Sequence, residues 1–423
     1  MEQPQAPTPS ASPTLARTAW LVVGLLMPVA LLNYLDRQML ASMKYSVMGD
    51  IPSIGTEENW GFMLGQFKWV YAFLSPIGGY VADRFSRRFT ICGSLFVWSA
   101  VTWWTGHVGS YTELLWARSL MGISEAFYIP AALALIADYH IGRTRSRAVG
   151  LHQMAIYGGV IAGGFGGYMA DAPALGWRFA FDACGVFGML YAVPLVLLLR
   201  DAPGSATAAT APKISPAHAA RQLLTNVFFV LLVLYFTLPA LAGWVVRDWM
   251  PAILKQQFAI GQGKAGVAAT LYWQVAAIAG ALGGGWLADR WMRRRDRGRI
   301  YVSAIGMSLI VPAIFGVGNA GSLATAVAFL LLFGLGWGFF DCNNMPILCQ
   351  IVRPELRATG YGIMNMVSIS CGGLADWGFG VLRDRQVPIN VIFGMFAGVA
   401  ILSVVLVLLI RPRKELVAGE RGL

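Results

Sequence analysis

Long apolar stretches alternate with short polar ones along most of the chain. A helix needs about 20 mainly apolar residues to cross a bilayer. Residues 200–222, rich in Pro, Ala, Ser and Thr, interrupt the series and are predicted to form a linker. The pattern predicts an all-α membrane protein with twelve transmembrane helices, at 18–43, 60–82, 89–108, 112–138, 148–170, 177–199, 224–248, 265–288, 300–318, 323–350, 357–382 and 388–410.

The predicted organisation is two six-helix bundles, at 17–199 and 223–411. Residues 1–16, which contain no Lys or Arg, are predicted to be a disordered tail, and 412–423 a C-terminal tail. A repeated loop supports the division, since Gly79-Tyr-Val-Ala-Asp-Arg-Phe-Ser-Arg-Arg88 recurs as Gly285-Trp-Leu-Ala-Asp-Arg-Trp-Met-Arg-Arg294. Equivalent loops in the two halves indicate a duplicated membrane domain.

The repeated loop is predicted to take part in gating. Asp83 would face the dipole of a helix in the other half and so hold one gating state. The alternative is that the arginines serve only as a topology signal, which explains neither the carboxylate nor the glycine. The candidate gating residues are Gly79, Asp83, Arg84, Arg87, Arg88, Gly285, Asp289 and Arg290.

Composition and charge agree with a membrane protein. The chain is 57% hydrophobic and 13% charged, too little charge for the surface of a soluble protein of this length. The net charge of +11 resides largely in short clusters between spans. Basic loops stay in the cytoplasm, so both termini are predicted to be cytoplasmic, and nucleic acid is not expected as a partner.

Enzymatic motifs and metal-ligand spacings do not occur. The five cysteines fall in apolar segments, and neither a phosphate-binding loop nor a hydrolase or metalloprotease motif is present. We therefore expect no enzymatic activity, no cofactor and no metal. The expected partners are a small-molecule substrate, protons and the lipid bilayer, and the expected state is a monomer.

Ionisable residues inside the predicted spans are the main functional candidates, because charge in a bilayer is costly. Span 1 contains Asp36 and Arg37, and span 4 contains Arg118 and Glu125. Asn33 and Arg37 share a helix face, as do Arg118 and Glu125, about 10 Å apart. Apolar surroundings favour a protonated Glu125, as proton coupling requires. The alternative is a structural ion pair between Arg118 and Glu125.

Polar residues in other spans are predicted to line a central cavity. Lys68 and Tyr71 follow one stripe of span 2, and a lysine facing the cavity favours an anionic substrate. Lys68 could instead snorkel to the interface. The position of Asp341 before Pro346 parallels that of Glu125 before Pro130. Further candidates for substrate contact, each also suited to a helix–helix hydrogen bond, are Gln153, Gln274, Asn344 and Asn365.

The repeated loop resembles the signature of the major facilitator superfamily of secondary transporters. Leu114-x-x-x-Arg118-x-x-x-Gly122-x-x-x-Ala126 is similar to the span 4 motif of that family. Span 5 is rich in glycine, as in the family, but lacks the Gly-Pro step of many drug antiporters. The resemblance implies two six-helix bundles that alternate access to a central site.

Two groups within that family are similar to this chain at 33–37 and 118–126: the anion:cation symporters for sugar acids and the Spinster-like lipid carriers. Resemblance to the first implies that Asp36 and Glu125 couple protons and that Arg37 contacts an anion. We predict proton-coupled symport of a small organic anion, such as a sugar acid, in a bacterial inner membrane. The alternatives are a Spinster-like lipid or lysolipid transporter, a drug/proton antiporter and a transporter-like receptor.

Overall fold

The computed structural model describes residues 13–140, 143–202, 215–413 and 415–417. Most of the predicted N-terminal tail, the middle of the predicted linker and the end of the predicted C-terminal tail lie outside these ranges. Within them the chain is helical, and every predicted span coincides with one helix or with two consecutive helices.

The N-terminal half contains nine helices among its described residues. Two predicted spans, the fourth and the fifth, are each split into two helices, and the short helix Lys44–Asp50 follows the first span. The helices are α1 Pro13–Ser42, α2 Lys44–Asp50, α3 Glu57–Arg84, α4 Arg87–Thr105, α5 Tyr111–Glu125, α6 Tyr128–Tyr139, α7 Arg143–Gly164, α8 Gly166–Asp171 and α9 Gly176–Leu198.

The break in the fourth span follows from Pro130. Proline has no amide hydrogen and its ring collides with the carbonyl four residues earlier, here that of Ala126. Helix α5 accordingly ends at Glu125 and α6 begins at Tyr128. Glu125 therefore lies at a helix end, whereas Asp341 lies inside the continuous helix Leu323–Ile351.

The C-terminal half contains seven helices among its described residues. Helix α10 begins in the predicted linker and ends two residues past it, and the helix of the predicted seventh span begins three residues later than expected, at Val227. The helices are α10 Pro216–Leu224, α11 Val227–Phe258, α12 Gln262–Met292, α13 Gly298–Gly318, α14 Leu323–Ile351, α15 Arg357–Asp384 and α16 Ile389–Leu409.

Eight segments are long and apolar enough to cross a membrane by length and composition alone, counted over the described ranges. They correspond to predicted spans 1, 4, 6, 7, 8, 9, 10 and 12. The remaining four, in α3, α4, α7 with α8, and α15, contain more polar and glycine residues. Such residues are compatible with helices that face a cavity or pack closely against a neighbour.

The two halves contact each other mainly through α3 with α15, α12 with α7 and α8, and α1 with α11. Their hydrogen bonds cluster at one end, here called the closed end. Asp384 accepts bonds from the amides of Glu57 and Glu58 at 3.0 and 2.8 Å. Asp171 accepts from Gln262 at 3.0 Å.

The repeated loops lie at the opposite end, here called the loop end, because α3 and α12 both begin at the closed end. Their described contacts stay within one half. Arg87 forms an ion pair with Asp138, and Asp289 accepts from Arg299 at 3.1 Å. The halves thus converge at the closed end, and each loop is bound to its own bundle.

Candidate substrate and proton site

The central feature of the N-terminal half is an ion pair between Arg37 of α1 and Glu125 of α5. The Arg37 Nε donates to Glu125 Oε2 at 2.6 Å, and its Nη2 donates to Asn33 Oδ1 at 3.3 Å. Glu125 is fully buried. The shared face of Asn33 and Arg37 is therefore confirmed. The carboxylate pairs with an arginine of another helix, and no ion pair with Arg118 occurs among the described residues.

Aromatic rings enclose the Arg37 guanidinium. Its Cζ lies 4.9 Å from the ring centre of Tyr34, 4.6 Å from that of Phe67 and 5.0 Å from that of Tyr71. Arg118 lies over the same Phe67 ring at 4.4 Å. Cation–π contacts stabilise a cation most where water is excluded. Two guanidinium groups therefore share one aromatic ring, and Arg37 is the one of the two that forms an ion pair with Glu125.

Asp36 faces away from Arg37. Its Oδ2 accepts from Thr102 Oγ1 of α4 at 3.1 Å, and its Oδ1 is buried without a partner among the described atoms. Neighbouring helix positions differ by about 100°, which explains why Asp36 and Arg37 do not pair. The two acidic candidates therefore occupy separate environments.

Lys68 of α3 connects the two halves. Its Nζ contacts Asp248 of α11 at 2.5 Å and also forms an ion pair with Asp376 of α15. The Trp244 ring lies 4.2 Å from the same Nζ. Lys68 is 4% exposed, so in this conformation it does not snorkel to an interface.

Asp248 and Arg247 of α11 belong to the site, although the sequence pattern predicts no role for them. Arg247 lies next to the Trp244 and Tyr34 rings, at 5.0 and 5.7 Å, and its backbone oxygen accepts from Gln38 Nε2 at 2.9 Å. Both residues sit at the edge of a predicted span, where charge is common. Their position opposite Lys68 is a tertiary feature that a linear pattern cannot contain.

A cavity of about 180 Å³ lies between Tyr34 and the C-terminal half. Gly243 makes room for one of its walls, because a Cβ there would lie 2.5 Å from Trp337 Cζ3. The cavity combines an aromatic wall with a few polar groups. Its aromatic lining is Tyr34, Phe236, Trp244, Trp273, Trp337 and Phe340, and its polar lining is Arg247, Asp341, Asn365 and Ser368.

The other predicted polar residues take different positions. Asn365 lines the cavity. Asn344 and Gln274 are buried, and both side-chain polar atoms of Asn344 and Oε1 of Gln274 have no hydrogen-bond partner among the described atoms. Gln153 is half-buried on α7. Buried amides without partners are costly, which is a reason to keep Asn344 and Gln274 as candidates for ligand contact.

The predicted gating residues show mainly local contacts. Arg84 lies over the Tyr80 ring and Arg290 over the Trp286 ring, at 4.8 and 5.7 Å. The Arg88 amide donates to Asp201 at 2.9 Å. The side chain of Asp83 lies outside those that the structure describes, so its predicted contact remains a prediction. A Cβ at Gly79 or Gly285 would find ample space, so neither glycine is required by packing here.

Metal-binding groups are not found in the described part of the chain: no cluster of three or more His, Cys, Asp or Glu could hold an ion there. The acidic residues of the site are instead neutralised by Arg37 and Lys68 or hydrogen-bonded to a hydroxyl.

Comparison with known proteins agrees with this architecture. An "MFS-type efflux pump" of Mycolicibacterium smegmatis is 29% identical over 87% of this chain and 85% of the relative. "Protein spinster homolog 1" of Homo sapiens is 26% identical over 86% of this chain and 73% of the relative.

Solved structures share the fold. A bacterial homologue of the human lysosomal transporter Spinster, in an inward-facing and unoccupied conformation, aligns with a TM-score of 0.75. The two are 20% identical, and the alignment covers 97% of this chain and 98% of that one. The nucleoside transporter NupG aligns with a TM-score of 0.72 at 12% identity, over 92% of this chain and 99% of the other.

The family profile described as "Major Facilitator Superfamily" matches residues 26–375, which include most of both bundles. The chain is a multi-pass membrane protein with the fold of secondary transporters, and it belongs to the Major Facilitator Superfamily.

Proposed function

We propose that this protein couples protons to the transport of an organic anion, by symport and alternating access. The observation that carries the proposal is the Arg37–Glu125 ion pair, whose arginine lines a small pocket between the halves, next to the cavity described above. Arg37 is largely shielded from water, and its charge is already neutralised by a carboxylate, so it can bind a second anion at low cost only if that carboxylate loses its charge.

Competition for Arg37 sets the direction of coupling. While Glu125 is ionised, it occupies the guanidinium and an anionic substrate would leave one carboxylate unpaired. A proton on Glu125 releases Arg37, and an anion can then bind. Proton and anion each favour the binding of the other by linkage, and such positive coupling of binding is what symport of the two requires. Asp36, hydrogen-bonded to Thr102, is the proposed second proton carrier.

The neighbouring cavity of about 180 Å³ shares Tyr34, Trp244 and Arg247 with the small pocket that Arg37 lines, and it suggests the class of anion. Six aromatic rings provide an apolar wall, and Arg247 supplies a cation at its edge. Ligand sites of this kind bind an apolar body through the wall and fix its orientation through a few polar groups. We therefore favour an amphipathic anion, such as an anionic lysolipid, over a hydroxyl-rich molecule.

A sugar acid is the second candidate. Asp341, Asn365 and Ser368 line the same cavity and could accept or donate hydrogen bonds to hydroxyl groups. The mycobacterial relative is named an efflux pump, so the direction of transport must also be considered. The direction follows from the gradients imposed on a symporter and does not alter the proposed chemistry.

Orientation is part of the proposal. Arginine-rich loops at the loop end favour its placement in the cytoplasm of a bacterial inner membrane, with both termini there. The closed end would then face outward, and the conformation described would open towards the cytoplasm. We propose that one chain carries a complete site and acts as a monomer.

Transport into proteoliposomes with an imposed pH gradient tests the function. The panel contains an anionic lysolipid, a sugar acid and a neutral sugar, with the membrane potential clamped. We expect an inward proton gradient to drive accumulation of the lysolipid above equilibrium. Accumulation of the sugar acid alone would select the second candidate, and uptake of the neutral sugar alone would contradict the roles of Arg37 and Arg247.

Glu125→Gln tests the proton role. The variant keeps a neutral hydrogen-bonding side chain, so it should lose gradient-driven accumulation while retaining anion exchange. Glu113→Gln is the matched control, because Glu113 lies exposed in the first turn of the same helix. Full gradient-driven accumulation by the Glu125 variant would refute the assignment.

A further inference from the structure

The cluster of Lys68, Asp248 and Asp376 has no role in the mechanism above. It is buried, with two carboxylates and one ammonium, so it lacks one positive charge for neutrality. Asp376 is fully buried, and its Oδ1 has no hydrogen-bond partner among the described atoms. Taking charge out of water is costly unless it is paired, so this cluster depends strongly on the single lysine.

The three residues are divided between the halves. Lys68 belongs to the N-terminal half, whereas Asp248 and Asp376 lie on adjacent helices of the C-terminal half. The charges facing the cluster are those of the adjoining pocket, which Arg37, Arg118 and Arg247 line. Among the groups described, only the Lys68 ammonium contacts both carboxylates.

Alternating access moves one half against the other around the central site. When the closed end opens, Lys68 must withdraw from the carboxylates of the other half. Two neighbouring buried carboxylates without a cation cannot both remain ionised at low cost, because like charges close together favour protonation of one. Opening therefore creates a demand for a cation at this position.

We propose that Asp248 and Asp376 form a further proton site, separate from Glu125 and Asp36, which the Lys68 ammonium fills while the closed end is shut and a proton fills when it opens. The proton comes from the solution on that side. On closure Lys68 returns, and the proton is released into the adjoining pocket beside Arg37. The inference rests on the alternating access proposed above but not on Glu125 as a proton carrier.

Proton uptake on opening predicts a pH-dependent conformational equilibrium. One proton bound per opening makes the open-to-shut ratio rise about tenfold for each unit of pH decrease, within the range in which the pair titrates. Loss of either carboxylate should flatten this response, because the remaining one has no like charge beside it and, once opening admits solution, can stay ionised without a proton.

Spin-label distances across the closed end provide the measurement. Labels at Gly49→Cys and Arg385→Cys, both exposed, report the separation of the halves in nanodiscs, in a transport-competent background without the five native cysteines. The series carries Glu125→Gln, so that any remaining pH response is independent of that residue. We expect the open fraction to rise steeply between pH 8 and pH 5.5, and Asp376→Asn and Asp248→Asn each to abolish the rise.

Matched variants separate this proposal from a general weakening of the interface. Asp384→Asn removes an exposed carboxylate that also joins the halves, and should shift the open fraction at every pH without changing its slope. Lys68→Met should favour the open state at pH 8, and Lys68→Arg should restore closure.

The inference would be overturned if the open fraction of both aspartate variants depended on pH as steeply as that of the parent protein. The inference would also be overturned if the open fraction responded to Na⁺ instead of protons. That response would appear as a change in the open fraction when choline replaces Na⁺ at constant pH. A third contradicting result is that Glu125→Gln alone abolishes the pH response of the open fraction, while the aspartate variants leave the spin-label distances unchanged. That result would overturn the site at Asp248 and Asp376 and would support the proton role of Glu125. In the protein that retains Glu125, normal pH-dependent opening without gradient-driven transport would instead contradict the proposed function.

Discussion

Gly380 of α15 is where a single methyl group should most directly oppose closure of the two halves. A Cβ at this position would lie 2.8 Å from the Glu57 carbonyl carbon and 3.0 Å from Glu58 Cα, both in α3. Carbon atoms in good contact are about 3.5 Å apart or more. The obstructing atoms are backbone, so no side-chain rotation can relieve the overlap. The Glu57 carbonyl oxygen lies nearer still, so Gly380→Ala must separate α3 from α15 by about 1 Å.

The expected cost is about 1–3 kcal/mol, as for other overpacked sites. That cost falls only on the conformation in which the closed end is shut, so the open-to-shut ratio should rise about 5- to 150-fold. The gain in helix propensity from Gly to Ala, about 1 kcal/mol, applies equally to both conformations and cancels.

Gly378→Ala is the matched control for this prediction. Gly378 lies two residues away on the same helix, and a Cβ there would meet no atom within 4 Å. Spin-label distances across the closed end, recorded for both variants in nanodiscs at one pH, give the comparison. Equal distance distributions for the two variants would show that the close contact between α3 and α15 does not limit closure.

Three further substitutions test separate parts of the structure. Arg247→Gln should raise the half-saturating concentration of the anion by about 10-fold or more, because a charged hydrogen bond is lost. Uptake assays measure this concentration, and pH-gradient assays should show that proton coupling is intact. Tyr128→Phe removes the 2.8 Å contact with buried His152 and should lower the free energy of unfolding by about 1–3 kcal/mol. Tyr80→Phe, at an exposed position, is its control in thermal unfolding. Equal melting temperatures of the two variants would show that the Tyr128–His152 contact does not stabilise the fold. Asp83→Asn should change the balance of inward and outward accessibility; unchanged transport and labelling would rule out a gating role for the repeated loop.

The succession of helices was predictable because its causes are local. Apolar length defines each span, and polar loops define where each ends, so each of the twelve predicted spans coincides with one helix or with two consecutive helices. The break after Glu125 was not predicted. Pro130 disrupts its span, whereas Pro346 lies within continuous α14, and which of the two outcomes occurs depends on the surrounding packing.

The chemistry of the site was predictable only in part, since ion pairs depend on tertiary contacts. The intramembrane charges themselves were conspicuous in the sequence. Their partners were not, because Glu125 pairs with Arg37, 88 positions away, instead of Arg118 on its own helix. Asp376 was visible as an acidic residue in a predicted span, but its contact with Lys68 crosses 308 positions and the boundary between the halves.

The location of each ion pair relative to that boundary determines what can disrupt it. Arg37 and Glu125 belong to one bundle, so a rigid movement of the halves leaves their contact intact, and only a proton or a competing anion can separate them. Lys68 and its two carboxylates belong to different bundles, so the movement itself breaks their contact. The first pair is suited to sense substrate, and the second cluster is suited to sense conformation. Coupled transport needs both functions, and a duplicated fold can supply them because its two halves have diverged in charge.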